Sequence, residues 1–175
     1  TPRRRRRAVA ARRPPPGECL NPPKENHVPA PTIEERYNPQ VAESFLKAGT
    51  TSAAGGLPGY LGLELVKFEP GRLWARATIR DELLTPFGTA HGGVTAAIVD
   101  HVTGVVLYPL MKAGQWAATT EIKTNYIAPV KAGVVDAESS VLAMTNRSAV
   151  VRAELYFGGR LAAAAQATLT IVDQK

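Results

Sequence analysis

His91-Gly92-Gly93, with Asp100 seven residues beyond the second glycine, are the residues in this sequence whose types and spacing best suit chemistry. The two glycines open an apolar stretch of helical spacing, so they fall at a helix N-terminus, where the first N–H groups have no partner within the helix. With no side chain to shield them, those donors can be approached closely. Reinforced by the helix dipole, they could polarise a carbonyl and hold the negative charge that builds on its oxygen during attack. The same turn also fits plain helix entry.

Asp100 is an acid in the middle of an otherwise apolar helix, where its desolvation must be offset by some use. At 100° per residue, Gly93, Ala96, Thr103 and Gly104 project within about 60° of it. The carboxylate thus lies on a face of small side chains that a ligand could approach. The competing use is architectural, a hydrogen bond to a facing strand or a partner helix. Eight residues separate Gly92 from Asp100, about 12 Å along a straight helix, too far for both to act on one reacting carbon. One site then needs two chains. An isologous dimer, with the helix N-terminus of one subunit facing Asp100 of the other, gives two equivalent sites. His91 could act as a general base, or orient the loop through a ring hydrogen bond. His101 has no spaced partner for a metal and His27 is near the N-terminus, so no metal is expected. The sequence has no Gly-x-Ser-x-Gly elbow, Gly-x-Gly-x-x-Gly turn or Walker sequence, which leaves serine hydrolase and nucleotide-binding readings without support.

These residues need a buried helix and something to bury it. From about Gly92 to Tyr108 the chain is apolar nearly all round, through Val94, Ala97, Ile98, Val102, Val105 and Val106, which predicts a buried helix that ends or kinks at Pro109. Leu73, Ala75, Ala77 and Ile79 alternate with polar residues as a half-buried strand does. The alternation recurs in Ile122, Thr124 and Tyr126, in Val151, Ala153, Leu155 and Phe157, and in Ala167, Leu169 and Ile171. It places Thr119 with Glu121 and Lys123, away from the Ile122 face. Asn146-Arg147 and Gly158-Gly159 stand where hairpin connections are needed, so the C-terminal half reads as an antiparallel meander. Val41, Phe45 and Leu46 predict a short amphipathic helix stopping near Gly49. One helix wrapped by one antiparallel sheet satisfies all of these.

A chain of 175 residues, 45% hydrophobic, buries one respectable core and predicts one domain. Its formal charge of +6 belongs to a tail, because Arg3 to Arg7, Arg12 and Arg13 are seven arginines and the remainder is close to neutral. Residues 1–38, rich in arginine and proline, are expected to form a disordered leader, with the domain over 39–175. The leader has no apolar h-region and is like an organelle transit peptide, so a mitochondrion or plastid is expected, with the cytoplasm as the alternative. A first residue other than methionine suggests a missing start. A functionless basic arm, or one that touches nucleic acid, would have the same composition. Residues 14–56 show no two-helix recognition pattern, which argues against a nucleic-acid partner. Cys19 has no partner for an intramolecular disulfide, and the apolar run Ala96 to Met111 is broken by Asp100, His101 and Pro109, so no membrane span is expected.

The stretch Gly88-Thr89-Ala90-His91-Gly92-Gly93-Val94-Thr95-Ala96-Ala97-Ile98-Val99-Asp100, followed by Asn125-Tyr126-Ile127-Ala128-Pro129 and Gly133, resembles the phenylacetyl-CoA thioesterase-like branch of the hotdog superfamily. The likeness covers roughly Gly59 to Val172. It implies an α+β hotdog fold, a central long helix wrapped by a curved antiparallel sheet, in dimers that often pair into tetramers. It further implies hydrolysis of acyl-CoA or aryl-CoA thioesters with no bound cofactor. By the same resemblance Asp100 is general base or nucleophile, the Gly92 N–H is donor to the thioester oxygen, and Thr119 stands where relatives place a water-positioning serine. His91, Gly93 and Thr103 are expected beside the substrate. Thr85 replaces the asparagine or glutamine that many members carry six residues before the histidine, and its hydroxyl lacks the amide's reach. Thr119 could equally be an ordinary strand threonine. The alternative function is a noncatalytic acyl-CoA-binding or regulatory hotdog protein; a hotdog hydratase would need an acid and histidine placed to add water to a double bond.

Overall fold

Leu73, Ala75, Ala77 and Ile79 turn to one side of their strand, where each is at most 2% exposed. The computed structural model describes residues 30–49 and 55–174, and there that pattern repeats across six strands. They are β1 (Glu64–Glu69), β2 (Arg72–Ile79), β3 (Gln115–Tyr126), β4 (Gly133–Met144), β5 (Ser148–Phe157) and β6 (Arg160–Asp173). All pair antiparallel in the order β1-β2-β4-β5-β6-β3. β4, β5 and β6 form an antiparallel meander, of which the alternation marks β5 and β6 but not β4; β3, the marked strand before them, pairs with β6 instead. Gly158 and Gly159, both at positive φ, turn β5 into β6, and Thr145 Oγ1 accepts from the N–H groups of Arg147 and Ser148 to turn β4 into β5. β3 joins the far edge, beside β6, so the chain crosses the sheet before and after it.

The inner face of this sheet packs on the helix Gly92–Val105, α4 in chain order, whose Ile98, Val99 and Val102 are at most 1% exposed. The facing positions on β4, β5 and β6 carry Ala137, Ala153, Ala163, Ala165 and Ala167, all buried. Side chains this short let the helix lie close to the sheet. One polar link crosses this core, from the Ser139 hydroxyl to the Val102 carbonyl at 2.9 Å. α4 stops three residues before the expected Tyr108. The chain turns there into a 3₁₀ segment, Tyr108–Leu110, in which Pro109 falls near the start, where its missing N–H leaves no bond unmade. The stretch Gly92–Leu110 is long and apolar enough to cross a membrane, yet more than half of its most apolar part is buried inside the protein.

The expected amphipathic helix is α2, Pro39–Gly49, which packs on β1 and on the 3₁₀ segment, with the Phe45 and Tyr108 rings 4.8 Å apart. Before it, α1 (Ile33–Arg36) is closed by a capping box, Thr32 with Glu35. Residues 30–38, expected as the end of an unstructured leader, therefore hold a helical turn, and Ile33 and Tyr37 pack against the core. Proline-rich composition hid it, because a four-residue helix has too few positions to show periodicity. A third short helix, α3 (Gly56–Tyr60), precedes β1. The arginine block, Cys19 and His27 lie outside the described residues.

Candidate active site

The helix entry is assembled by backbone bonds from three directions. Leu84 bridges Ala90 across a small loop, in which the Thr85 N–H meets the Thr89 carbonyl at 2.7 Å and Gly88 takes φ 74°. Ala90 donates to the Val130 carbonyl at 2.7 Å, and His91 donates to the Leu83 carbonyl at 3.0 Å. The segment after β3 is fixed in turn, since Ile127 and Ala128 both donate to the Ala162 carbonyl. These bonds bring the Gly88–Gly93 and Tyr126–Pro129 sequences together. Between them is a cleft of about 410 Å³ lined by Thr89, Ala90, Gly92, Thr95, Tyr126 to Val130 and Ala162.

His91 is the N-cap of α4, its Nδ1 accepting from the Gly93 N–H at 3.0 Å. That is the loop-orienting use of the ring; with Nδ1 occupied as acceptor, the proton of the neutral imidazole sits on Nε2. The His91 carbonyl takes the Val94 and Thr95 N–H groups. The Gly92 N–H has no acceptor among the described residues, so it is the free donor at the mouth of the helix.

Asp100 lies two turns farther along α4 and does not line the same cleft. Its main-chain carbonyl accepts from Thr103 Oγ1 at 2.7 Å. Among the described residues its carboxylate has no hydrogen-bond partner, and Oδ1 is the one buried side-chain oxygen or nitrogen left without a hydrogen bond. Among the described residues, nothing puts this acid to the architectural use. His101, next to it, is half-buried, and burial holds its imidazole below the ordinary range while the Asp100 charge pulls the other way.

Three expected site residues fall differently from the sequence reading. Thr103 is fully buried, and its hydroxyl is turned back onto the Asp100 carbonyl of its own helix, a bond open to threonine three residues on, so a substrate cannot reach it. Thr119 was placed by alternation with Glu121 and Lys123. A β-bulge at Thr120 changes the parity, so Thr119 pairs with the buried Leu169 and shares the inner face with Ile122, which pairs with Ala167. Thr85 spends its hydroxyl inside its own loop, accepting from the Phe87 N–H at 3.3 Å and lying 3.3 Å from Thr89 Oγ1. Tyr126, which the sequence marks only as part of a pattern, reaches the site directly, its hydroxyl donating to the Gly92 carbonyl at 3.1 Å. The signal was present in the Tyr-x-x-Pro sequence, but nothing local reveals a contact across 34 residues. Among the described residues no cluster of three or more His, Cys, Asp or Glu side chains could hold a metal ion.

A long helix gripped by a curved antiparallel sheet, with a glycine pair at its entry and an acid at its middle, is the hotdog fold. The solved structure of a thioesterase from Haemophilus influenzae shares it with a TM-score of 0.68 over 75% of this chain and 90% of that one, at 20% identity. Residues 87–164, which hold α4 and the site, match the thioesterase superfamily. A variant of the phenylacetic acid degradation protein PaaI from Thermus thermophilus is 26% identical, with a TM-score of 0.59 over 65% of this chain and 96% of that one. A 1,4-dihydroxy-2-naphthoyl-CoA hydrolase from Listeria monocytogenes is 26% identical over 87 residues, 50% of this chain and 71% of that protein. Family and relatives together support thioester hydrolysis in general.

Proposed function

We propose that the protein hydrolyses acyl-CoA or aryl-CoA thioesters to the free acid and coenzyme A, with Asp100 as the reacting carboxylate and the Gly92 N–H as oxyanion donor across a dimer interface. The observation that carries this reading is the orphaned Asp100 carboxylate. A buried acceptor without a partner is costly, and such groups persist where something outside the chain uses them. As general base, Asp100 takes a proton from water while the water oxygen bonds to the thioester carbonyl carbon. The carbonyl oxygen becomes an oxyanion at the Gly92 N–H and the positive end of α4. Its collapse breaks the C–S bond, and the leaving thiolate takes a proton. As nucleophile, Asp100 would instead bond to the carbonyl carbon and displace the coenzyme A thiolate, giving a mixed anhydride that water opens to the free acid and the original carboxylate. Coenzyme A enters as part of the substrate, in keeping with the name of the Listeria relative, and the reaction needs no cofactor.

The α4 geometry supports two chains per site, since about 12 Å of continuous helix separates the two groups. β3 offers the means. It is a twelve-residue edge strand, and an edge of that length favours pairing with a second copy, in a dimer or a pair of dimers. Import into an organelle through the arginine-rich leader remains part of this proposal.

The full chain should turn over a panel of short, long and aromatic CoA thioesters, and Asp100→Asn should abolish that turnover while leaving the fold intact. Absence of turnover in the native protein across the panel would overturn the reading. Thr85, with its hydroxyl committed to its own loop, favours a second reading in which the site binds acyl-CoA without cleaving it. Tight binding by the native protein without turnover would select that one.

A further inference from the structure

Two adjoining glycines form the most easily disordered peptide that a helix entry can contain, because glycine loses more backbone freedom on ordering than any other residue. A donor that wanders is not preorganised. Here the peptide between Gly92 and Gly93 is held at both ends by side chains. Its N–H donates to His91 Nδ1 at 3.0 Å, and its carbonyl accepts from the Tyr126 hydroxyl at 3.1 Å. The Tyr126 ring also covers this backbone, since a Cβ added at Gly92 would lie 3.5 Å from Cε1 and Cζ. The base of that side chain is firm, because β3 ends at Tyr126 and the next two residues bond to the Ala162 carbonyl. With the second peptide clamped, the one before it presents the Gly92 N–H in a fixed direction.

We infer that Tyr126 is a positioning residue for thioester hydrolysis, acting through the Gly92–Gly93 peptide to hold the oxyanion donor in place. This rests on the hydrolytic reading above. Tyr126 touches the donor's backbone and transfers no proton, so its loss weakens the transition state more than the ground state. Removal of the hydroxyl alone should lower kcat about ten- to a hundredfold and leave KM within about twofold, the size expected when a reacting geometry loosens.

The test compares the native full chain with Tyr126→Phe and Tyr126→Ala in steady-state hydrolysis of whichever CoA thioester the native protein cleaves best. Hydrogen exchange of the backbone over residues 88–95 is followed in parallel. The expected result is a fall in kcat at nearly constant KM for Tyr126→Phe, faster exchange in that segment, and a larger loss in Tyr126→Ala, which removes the ring as well. An unchanged kcat in a folded Tyr126→Phe protein would overturn the inference while leaving the hydrolytic reading in place. A rise in KM alone would also overturn it, since the ring would then only bind substrate. If the native protein cleaves no thioester, the hydrolytic reading fails and the positioning role with it. The exchange data then show separately whether the clamp exists.

Discussion

In the proposed reaction Asp100 and Gly92 divide the chemistry between a side-chain charge and a backbone donor, and each can be removed with little disturbance. Asparagine at position 100 keeps the shape of the carboxylate and loses its basicity. Gly92 is harder to probe, because the donor is main chain, but its position supplies a route. It is the first residue of α4, and His91 before it is extended at ψ 137°. Proline is favoured at that helical position, lacks an N–H, and requires an extended residue before it. Gly92→Pro should therefore leave the melting temperature nearly unchanged and lower kcat by about a hundred- to a thousandfold, as loss of one oxyanion donor does elsewhere. Steady-state kinetics beside a thermal melt would check both halves. A Cβ at Gly93, in contrast, would stand 3.0 Å from His91 Nδ1 and push against the cap that orders the turn.

At the scale of elements, α4 is the part on which most else depends. Ser139 is its buried polar tie to β4, and the Val102 carbonyl that it meets also accepts from the Val106 N–H at 3.3 Å. Ser139→Ala therefore leaves that carbonyl one partner and should cost about 1 kcal/mol, seen as a fall of roughly 2–4 °C in melting temperature. His101 gives the helix a pH dependence. Its burial favours the neutral ring in the fold, so the unfolded chain takes up the proton first as the pH falls. Stability contributed by the neutral ring is present above about pH 6.5 and declines as the pH drops from there toward the lower folded value. Urea midpoints at pH 7.5 and pH 5 should show a loss in the native protein that is smaller in His101→Gln.

The whole molecule has to be larger than one chain if Gly92 and Asp100 serve the same carbon. That requirement predicts complementation. Asp100→Asn and Gly92→Pro, each inactive alone, should regain activity when unfolded together and refolded, because the mixed dimer has one site with both native groups. With random pairing the mixture should reach about a quarter of native activity per mole of protein. No recovery, with mixed dimers demonstrated by mass spectrometry, would mean that each chain works alone.

The sequence by itself determined four of the six strands, α2, α4 and the candidate chemical groups. Period-two alternation marked β2, β3, β5 and β6, the apolar run marked α4, and an acid within that run marked Asp100, because these signals come from neighbours a few residues apart. The bulge at Thr120 escaped it, since one extra residue reverses which side chains face inward and only the register against β6 reveals the reversal. Thr103 escaped for a similar reason, as a helical wheel gives direction but neither burial nor a hydroxyl's partner. Only the tertiary structure decided that β3 lies beside β6 and that Tyr126 holds Gly92. Both contacts join residues more than thirty positions apart, and their geometry is set by how the sheet closes around the helix.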